Sequence, residues 1–371
     1  MRRLMVAVLI ALLCPLLCGC QDTGEVENQA YVLVLALDRT EDGALALTAR
    51  VPRIGKGNTK GENGDSNGSA YLTFSVSAES WSRALDALQW ATPRRINLSH
   101  IEMIVVSQSL AAEPSFPTLM NAISETPHLY TNARLVVCRD DAQAFLEAGN
   151  TVIGTRLSSE IQAMLSQYAS QGFIEDASLA EVWYCANGIY GDPVAIWGYL
   201  EEEATGSVPS PTVLESPMNQ RFRGASLFQG GRFVKALAVD ETRLLNLIRG
   251  RTRTLIYAWH DDTVELMPVT PVRKRVIVDG DSVTLSLSMD LRPLDNACNG
   301  DRVALAASIK NSIAELIASC QQLGCDPFGF AESASANFAT VPDWLAFNWR
   351  SHFRRARVSV DLAVSPSTNH E

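Results

Sequence analysis

An apolar run near the N-terminus, residues 4–17, limits which part of the chain can fold as a globular protein. The run follows Arg2 and Arg3 and is broken only by Pro15. A helix that crosses a bilayer needs about 20 apolar residues, so this run is too short to span one. A positive start, an apolar middle and a small residue at the cleavage point are typical of a secretory signal. The sequence therefore predicts that the chain is exported and that folding begins after the signal.

The signal ends in Leu17, Cys18, Gly19 and Cys20. This order resembles the bacterial lipobox, which has an aliphatic residue, a permissive position, a small residue and then the lipidated cysteine. A cysteine is required because the diacylglyceryl group is attached through sulfur. We therefore predict cleavage before Cys20 and lipidation of Cys20; an ordinary secretory signal that contains cysteines is the alternative. No other stretch is predicted to span a membrane, so the mature chain is predicted to be anchored to one.

The charge balance excludes some partners. The chain has 31 basic and 41 acidic side chains, and removal of the signal with Arg2 and Arg3 leaves 29 against 41, or −12. An acidic mature chain argues against nucleic-acid binding and against attachment through a polybasic patch. An apolar fraction of 47% with 19% charged residues is typical of a globular protein.

The order of apolar patterns predicts a multi-domain α+β protein, with mixed α/β sheets packed against helices. Residues 1–19 form the signal and residues 20–29 a polar tether. Residues 30–200 alternate strand and helix patterns, with a possible sub-boundary near 150. Residues 201–219 are rich in Glu, Ser and Pro, which indicates a linker. Residues 220–366 form a strand-rich C-terminal domain.

Periodicity places the individual elements. Residues 30–37 and 44–52 are predicted strands joined by a turn with the hairpin pair Asp42-Gly43. The glycine-rich stretch 53–69 is predicted to be a surface loop. Apolar residues at helical spacing predict further helices over 81–91, 117–123 and 157–168, and one beginning near Asp140. Other strands are predicted at 103–107, 133–138, 193–200, 225–228, 233–239, 254–259, 273–278, 282–291 and 358–364.

The titratable residues form no catalytic pattern. The five histidines, His100, His128, His260, His352 and His370, lack metal-binding spacing, so surface or core positions are favoured. Gly-Asp-Ser occurs at 64–66 and 280–282 and resembles the nucleophile block of a serine-esterase family. Turns are favoured at both places, because no histidine base is placed to activate a serine.

Five cysteines follow Cys20 in the mature chain: Cys138, Cys185, Cys298, Cys320 and Cys325. An odd number cannot all pair, and no Cys-x-x-Cys pair supports a zinc site. We predict no catalytic residue, no cofactor and no metal, which leaves Cys20 as the one predicted site residue.

The order of several blocks resembles a known family, the C-type lipoprotein subunits of spore germinant receptors, called Ger(x)C. Residues 97–111 resemble its Ser-His block with an apolar strand, and residues 224–235 resemble the opening of its C-terminal domain. The most specific block is the end, where the 323–330 turn is followed by Trp344, Trp349 and Phe353 and then by an alternating strand. Gln21 departs from the family's usual tryptophan after the lipidated cysteine.

The resemblance implies a mixed α/β fold of several domains and no enzymatic activity. It implies a location on the outer face of the spore inner membrane, where the chain would act with two membrane subunits, one of them transporter-like, in nutrient-triggered germination. A substrate-binding lipoprotein of a membrane importer is the alternative, and its two parallel-sheet lobes fit the strand-rich second half poorly. A cell-wall hydrolase would need a catalytic constellation that the sequence lacks.

Three local predictions concern the C-terminal part. Trp344, Trp349 and Phe353 are predicted to be core residues, with Asp326 fixing the preceding turn; an exposed aromatic patch is the alternative. The basic residues Arg350, His352, Arg354, Arg355 and Arg357 are predicted to form a solvated helix face, with a contact to lipid phosphates or an acidic partner as the alternative.

The third prediction concerns the end of a long helix with its apolar stripe at Leu305, Ile309, Ile313, Leu316, Cys320 and Leu323. If Gly324 is left-handed, the helix closes in a Schellman motif that brings Cys325 against Cys320. The Cα atoms would then lie about 5–6 Å apart, close enough for a disulfide, and the sequence leaves open whether the bond forms.

Overall fold

The structure is a computed structural model that describes residues 28–53, 71–148, 157–201, 220–260, 262–294 and 301–366. The described part contains two large mixed sheets packed with helices, which confirms the predicted fold class. Cys20, Cys298, His370, the signal and the 54–70 part of the predicted loop lie outside the described residues.

Ten strands form the sheets of the first part of the chain. They are β1 Gln29–Tyr31, β2 Val34–Arg39, β3 Leu45–Pro52, β4 Tyr71–Ala78, β5 Arg95–Asn97, β6 Met103–Ser107, β7 Arg134–Cys138, β8 Val194–Leu200, β9 Gln220–Gln229 and β10 Arg232–Leu237. Eight of them form one sheet in the order β10-β9-β8-β7-β6-β2-β3-β4, and β1 pairs with β5 in a small parallel sheet. In the large sheet β2, β6, β7 and β8 are parallel, and antiparallel strands flank them on both sides.

Helices cover both faces of this sheet. They are α1 Trp81–Ala91, α2 Gln108–Ala111, α3 Phe116–Ser124, α4 Ala142–Glu147, α5 Leu157–Ser170, α6 Leu179–Asn187 and α7 Val239–Arg249. Alternate residues of β2 show the two-sided burial, because Leu35 and Leu37 pack with α1, α3 and α6 while Val34 and Ala36 pack with α4 and α5. Burial on both faces explains why the parallel strands are continuous apolar runs in the sequence.

The second sheet consists of β11 Leu255–Trp259, β12 Asp262–Pro268, β13 Arg273–Asp279, β14 Ser282–Pro293 and β15 Arg357–Val364. Its pairs are antiparallel except β14 with β15, which is parallel. Helices α8 Arg302–Leu323, α9 Phe330–Ser335, α10 Val341–Phe347 and α11 Trp349–Phe353 accompany it. The alternating apolar residues of β14 and the apolar stripe of α8 belong to one buried core.

Strands β9 and β10 belong to the first sheet, whereas the sequence predicts that they belong to the C-terminal domain. Leu200 at the end of β8 pairs with Gln220 at the start of β9, and β10 pairs with β9. Residues 202–219 of the predicted linker lie outside the described residues, and the strands before and after them are neighbours in the first sheet. Residues 220–237 extend that sheet, although the sequence assigns them to the C-terminal domain. How the chain divides into independently folding domains stays a prediction.

Among the described helices, α8 is long and apolar enough to cross a membrane, with 22 residues and a mean hydropathy of 1.3. The sequence analysis predicted no such stretch after the signal, and on length and composition that prediction is wrong. The apolar stripe of α8, including Leu305, Ile309 and Ile313, is buried in the core of the second sheet.

Candidate functional site at the junction of the two sheets

A cavity of about 330 Å³ lies where the loop before β8 meets the C-terminal helices. Asp192 lines it from the loop, and Asp326, Trp344, Trp349 and Arg350 line it from the C-terminal part. We call this region the junction. It has two buried carboxyl groups and aromatic walls. The hydrogen bonds of those two carboxyl groups determine whether they are free to bind or react with another molecule.

Asp326 organises the C-terminal side of the junction. Its Oδ1 accepts hydrogen bonds from the backbone N–H groups of Phe328 and Phe330, at 3.2 and 3.3 Å. Its Oδ2 accepts from the Ala331 N–H at 2.7 Å and from Trp349 Nε1 at 3.0 Å. Burial raises the pKa of Asp326, whereas the donors from Ala331 and Trp349 lower it. The prediction that Asp326 fixes this turn is confirmed.

The aromatic residues of this region are core residues, as predicted. Trp344, Trp349 and Phe353 are all buried. Trp344 donates from Nε1 to the carbonyl of Ile189 at 3.0 Å, which ties α10 to the loop before β8. Each buried indole N–H therefore has an acceptor, as a buried tryptophan requires.

Asp192 joins three separate stretches of the chain. Its N–H donates to the Asp326 carbonyl, and its Oδ2 accepts from the Asp326 N–H, both at 3.0 Å. Its Oδ1 accepts from the Gly230 N–H and from Arg350 Nη2, both at 2.9 Å. Gly191 has φ +110°, and a Cβ there would lie 3.2 Å from the Asp326 carbonyl oxygen. Only glycine fits this position without strain.

The four arginines of the basic cluster are exposed, as the predicted solvated face requires, and three of them also bond the protein. Arg350 pairs with the buried Asp192, and Arg354 donates to the Leu323 carbonyl at 3.3 Å. Arg355 bonds the carbonyl of Ser351 at 3.3 Å. The cluster therefore contributes to the junction, because the chain turns back onto the end of α8 after α11.

The end of α8 has the predicted Schellman geometry. Gly324 is left-handed with φ +66°, its N–H donates to Gln321, and the Cys325 N–H donates to the Cys320 carbonyl at 3.0 Å. Both thiols are free, and Cys325 Sγ donates to the carbonyl of Phe228 at 2.9 Å. Burial raises the pKa of the Cys320 thiol to about 12 and raises that of Cys325 as well. The predicted separation of the two Cα atoms stays a prediction.

A second buried cluster lies beside the junction. Glu175 is fully buried, and its Oε1 lies 3.3 Å from Arg249 Nε and 3.7 Å from Arg251 Nε. Burial raises the pKa of Glu175, while the two arginines oppose that shift. Arg249 also donates to Glu181 at 2.8 Å and to the Pro327 carbonyl at 3.1 Å. The cluster thus links α6 and α7 to the turn that Asp326 organises.

These groups are held by structural partners. The carboxylate oxygens of Asp192 and Asp326 accept hydrogen bonds from backbone and side-chain donors. The second Gly-Asp-Ser triplet, at 280–282, forms the turn that joins β13 to β14, as predicted. Within the described ranges, no group of three or more His, Cys, Asp or Glu residues could hold a metal ion. The arrangement is suited to holding two parts of a protein together and to presenting their common surface.

Two family models match this chain. Residues 22–197 match the family model described as the spore germination protein N-terminal domain, and residues 302–365 match the one described as spore germination B3/GerAC like, C-terminal. The chain belongs to the GerAC family of spore germination proteins. The earlier resemblance is therefore confirmed, and the family assigns the chain a role in spore germination.

Individual GerAC relatives cover the chain to different extents. The YfkR protein of Bacillus subtilis (strain 168) is 21% identical over 386 aligned residues, which cover 95% of this chain and 93% of YfkR. Spore germination protein KC of the same strain is 25% identical over 139 residues, which cover 37% of this chain and 34% of that protein. The crystal structure of the GerBC protein has the same fold, with a TM-score of 0.54 at 12% identity, covering 90% of this chain and 97% of GerBC.

The two GerAC family matches meet at the junction. Asp192 lies in the N-terminal match, whereas Asp326, Trp349 and Arg350 lie in the C-terminal one. The sequence signals Asp326 and the tryptophans because they are close together in the chain. It gives no signal for Asp192, whose Gly-Asp-Pro setting reads as an ordinary turn.

Proposed function

We propose that this GerAC-family chain is a lipid-anchored, non-enzymatic subunit of a nutrient-germinant receptor on the outer face of the spore inner membrane. The observation that carries the proposal is the position of Cys20. This cysteine ends the lipobox-like sequence and lies two residues before the family match begins at residue 22. Lipidation there would leave the whole family region exported and tethered.

The contacts of the buried acids support a non-enzymatic role. Asp192 and Asp326 are engaged with backbone N–H groups, and a general acid or base must be free to reach a substrate proton. Both groups therefore serve the fold at the junction. We infer that the chain works by contacting other proteins.

The partners in this proposal are the membrane subunits of the receptor, one of them transporter-like, and the bilayer itself through Cys20. Nucleic acid is not among them, because the mature chain is acidic. The importer alternative is less well supported, since the second sheet is antiparallel except for the β14–β15 pair and so does not form a second parallel lobe.

Membrane fractionation tests the anchor. Cys20→Ala removes the thiol to which lipid is attached, so we expect the variant to appear in the soluble fraction in cells that lack the other receptor subunits. Cys18→Ala is the matched control, since position 18 is permissive and is removed with the signal; it should stay in the membrane fraction. Retention of the Cys20→Ala variant in membranes would contradict the single lipid anchor.

A further inference from the structure

Trp90 near the end of α1 is almost fully exposed, at 90% of its possible area. It lies nine residues after the buried Trp81, which at about 100° per residue places it about 180° around the helix. The chain has seven tryptophans, and the other six are buried or half-buried. Trp90 therefore points directly away from the core and has no packing role in the fold.

Trp90 lies beside the place where the described chain begins. Strand β1 starts at Gln29 and pairs with β5, with Gln29 opposite Arg95. The side chain of Gln89 joins α1 to β5, since its Nε2 donates to the Arg94 carbonyl and its Oε1 accepts from the Ile96 N–H, both at 2.9 Å. Trp90 is the next residue after Gln89, so its backbone lies beside the unit that α1, β5 and β1 form.

The length of chain before this unit limits its distance from the membrane. Cys20 and Asn28 are eight residues apart in the sequence. A fully extended chain spans at most about 3.6 Å per residue, so a lipid on Cys20 would keep Asn28 within about 29 Å of the bilayer. This step rests on the proposed lipidation. The part of the protein that contains β1, β5 and the end of α1, which carries Trp90, is then held within reach of the lipid.

We propose that Trp90 inserts its indole into the headgroup region of the phospholipid bilayer and so fixes the orientation of the lipid-anchored chain on the membrane. Tryptophan is suited to this contact, because its ring is largely apolar while its N–H finds polar partners at the interface. Lipid attachment gives proximity, and the indole contact sets which side of the protein faces the bilayer.

Charge does not drive the contact. Arg95 is exposed near Trp90, and Arg83 and Asp86 lie on the same outward face of α1. The stretch between Cys20 and Asn28 carries the acids Asp22, Glu25 and Glu27. Positive and negative groups therefore offset one another, which leaves the indole as the group that favours the interface.

Fluorescence quenching tests the proposal on the full lipidated chain. The protein is reconstituted into vesicles of phosphatidylcholine that carries bromine atoms near the top of the acyl chains, and its tryptophan emission is compared with that in unbrominated vesicles. Trp90→Phe is the test variant. Trp183→Phe is the matched control, because Trp183 is half-buried and its Nε1 donates to Asn121 at 2.9 Å.

We expect bromine to reduce the emission of the wild type and of Trp183→Phe, and this loss to disappear in Trp90→Phe. Equal loss in both variants, or no loss in wild-type protein whose N-terminal peptide mass shows the lipid, would overturn the inference while leaving the proposed function intact. Loss that appears only when other receptor subunits are added would also overturn it, since those subunits, and not the indole, would then set the orientation of the chain. An unlipidated N-terminal peptide would overturn the proposed anchor itself.

Discussion

Asp326→Asn is the sharpest perturbation of the junction, because it keeps the shape of the side chain and changes what one oxygen can do. Each carboxylate oxygen of Asp326 accepts two hydrogen bonds, Oδ1 from Phe328 and Phe330 and Oδ2 from Ala331 and Trp349. An amide group replaces one oxygen with a donor. Two of the four donors would then face another donor with no acceptor.

The size of the effect follows from those two orphaned donors. A buried donor left without a partner costs about 1–3 kcal/mol, so the pair would cost about 2–6 kcal/mol. The neutral amide removes the cost of burying a charge, which offsets part of this loss. We expect the free energy of unfolding to fall by about 2–4 kcal/mol, a large share of the about 5–15 kcal/mol that holds a typical protein folded.

Urea unfolding followed by circular dichroism and by tryptophan fluorescence measures the change. Asp343→Asn is the matched control, since Asp343 is an exposed carboxyl group in the same region whose one side-chain hydrogen bond comes from Thr340, and loss of its charge in the first turn of α10 should change stability by less than about 1 kcal/mol. Combining Asp326→Asn with Trp349→Phe should give a coupling energy of about 1 kcal/mol. Equal stability of Asp326→Asn and Asp343→Asn would refute the reasoning.

Three further predictions concern other buried groups. Gly224→Ala should lower thermal stability far more than Gly43→Ala, because a Cβ at Gly224 would lie 2.2 Å from the Leu237 carbonyl oxygen while Gly43 has open space around it; similar melting temperatures would contradict the close packing. In native protein, peptide mass mapping should find Cys320 and Cys325 unmodified by iodoacetamide, since burial raises the pKa of both thiols, and modified after unfolding; a disulfide-linked peptide would refute the free thiols. Burial raises the pKa of Glu175, so the contribution of this group to stability is complete below the unfolded pKa of 4.5 and is lost as the pH rises. The stability of the wild type relative to Glu175→Gln should therefore fall from pH 4.5 upwards. A difference in stability that does not change with pH would contradict the raised pKa.

Local patterns explain which elements the sequence predicts well. The hairpin of β2 and β3 follows from the Asp42-Gly43 pair, and Gly43 has φ +83° as such a turn requires. The α8 stripe and its left-handed Gly324 are also local, since the spacing of the stripe and the hydrogen bonds that end the helix at Gly324 lie within one helix. In these cases hydrogen bonding and burial are decided by residues close together in the chain.

Elements that are half exposed or paired at long range escape the sequence pattern. Strand β4 is an edge strand with weak alternation, and the sequence gives no prediction for it. Helix α7 has Asp240 and Glu241 in its first turn and buries the polar side chains of Thr242 and Asn246, so its apolar stripe is incomplete. The pairing of β9 and β10 with the first sheet depends on contacts across the 201–219 stretch, which composition alone marks as a linker.

The residues of the junction also differ in how well the sequence predicts them. Asp326, Cys325 and the tryptophans lie within one short part of the chain, and their core positions follow from the sequence. The role of Asp192 does not, because its partner Gly230 is 38 residues away and Arg350 is 158 residues away. Only the folded chain brings these three stretches together.

Nutrient-triggered germination in a strain that lacks this gene and any paralogue tests the central proposal most directly. Spores of the deletion strain, with and without a restored copy, are mixed with nutrient, and germination is followed by the fall in optical density. We expect the wild-type copy to restore the response and the Cys20→Ala copy to fail, while germination by a nutrient-independent trigger is normal in all strains. A normal nutrient response in the deletion strain would contradict a receptor role, and full restoration by Cys20→Ala would contradict the lipid anchor.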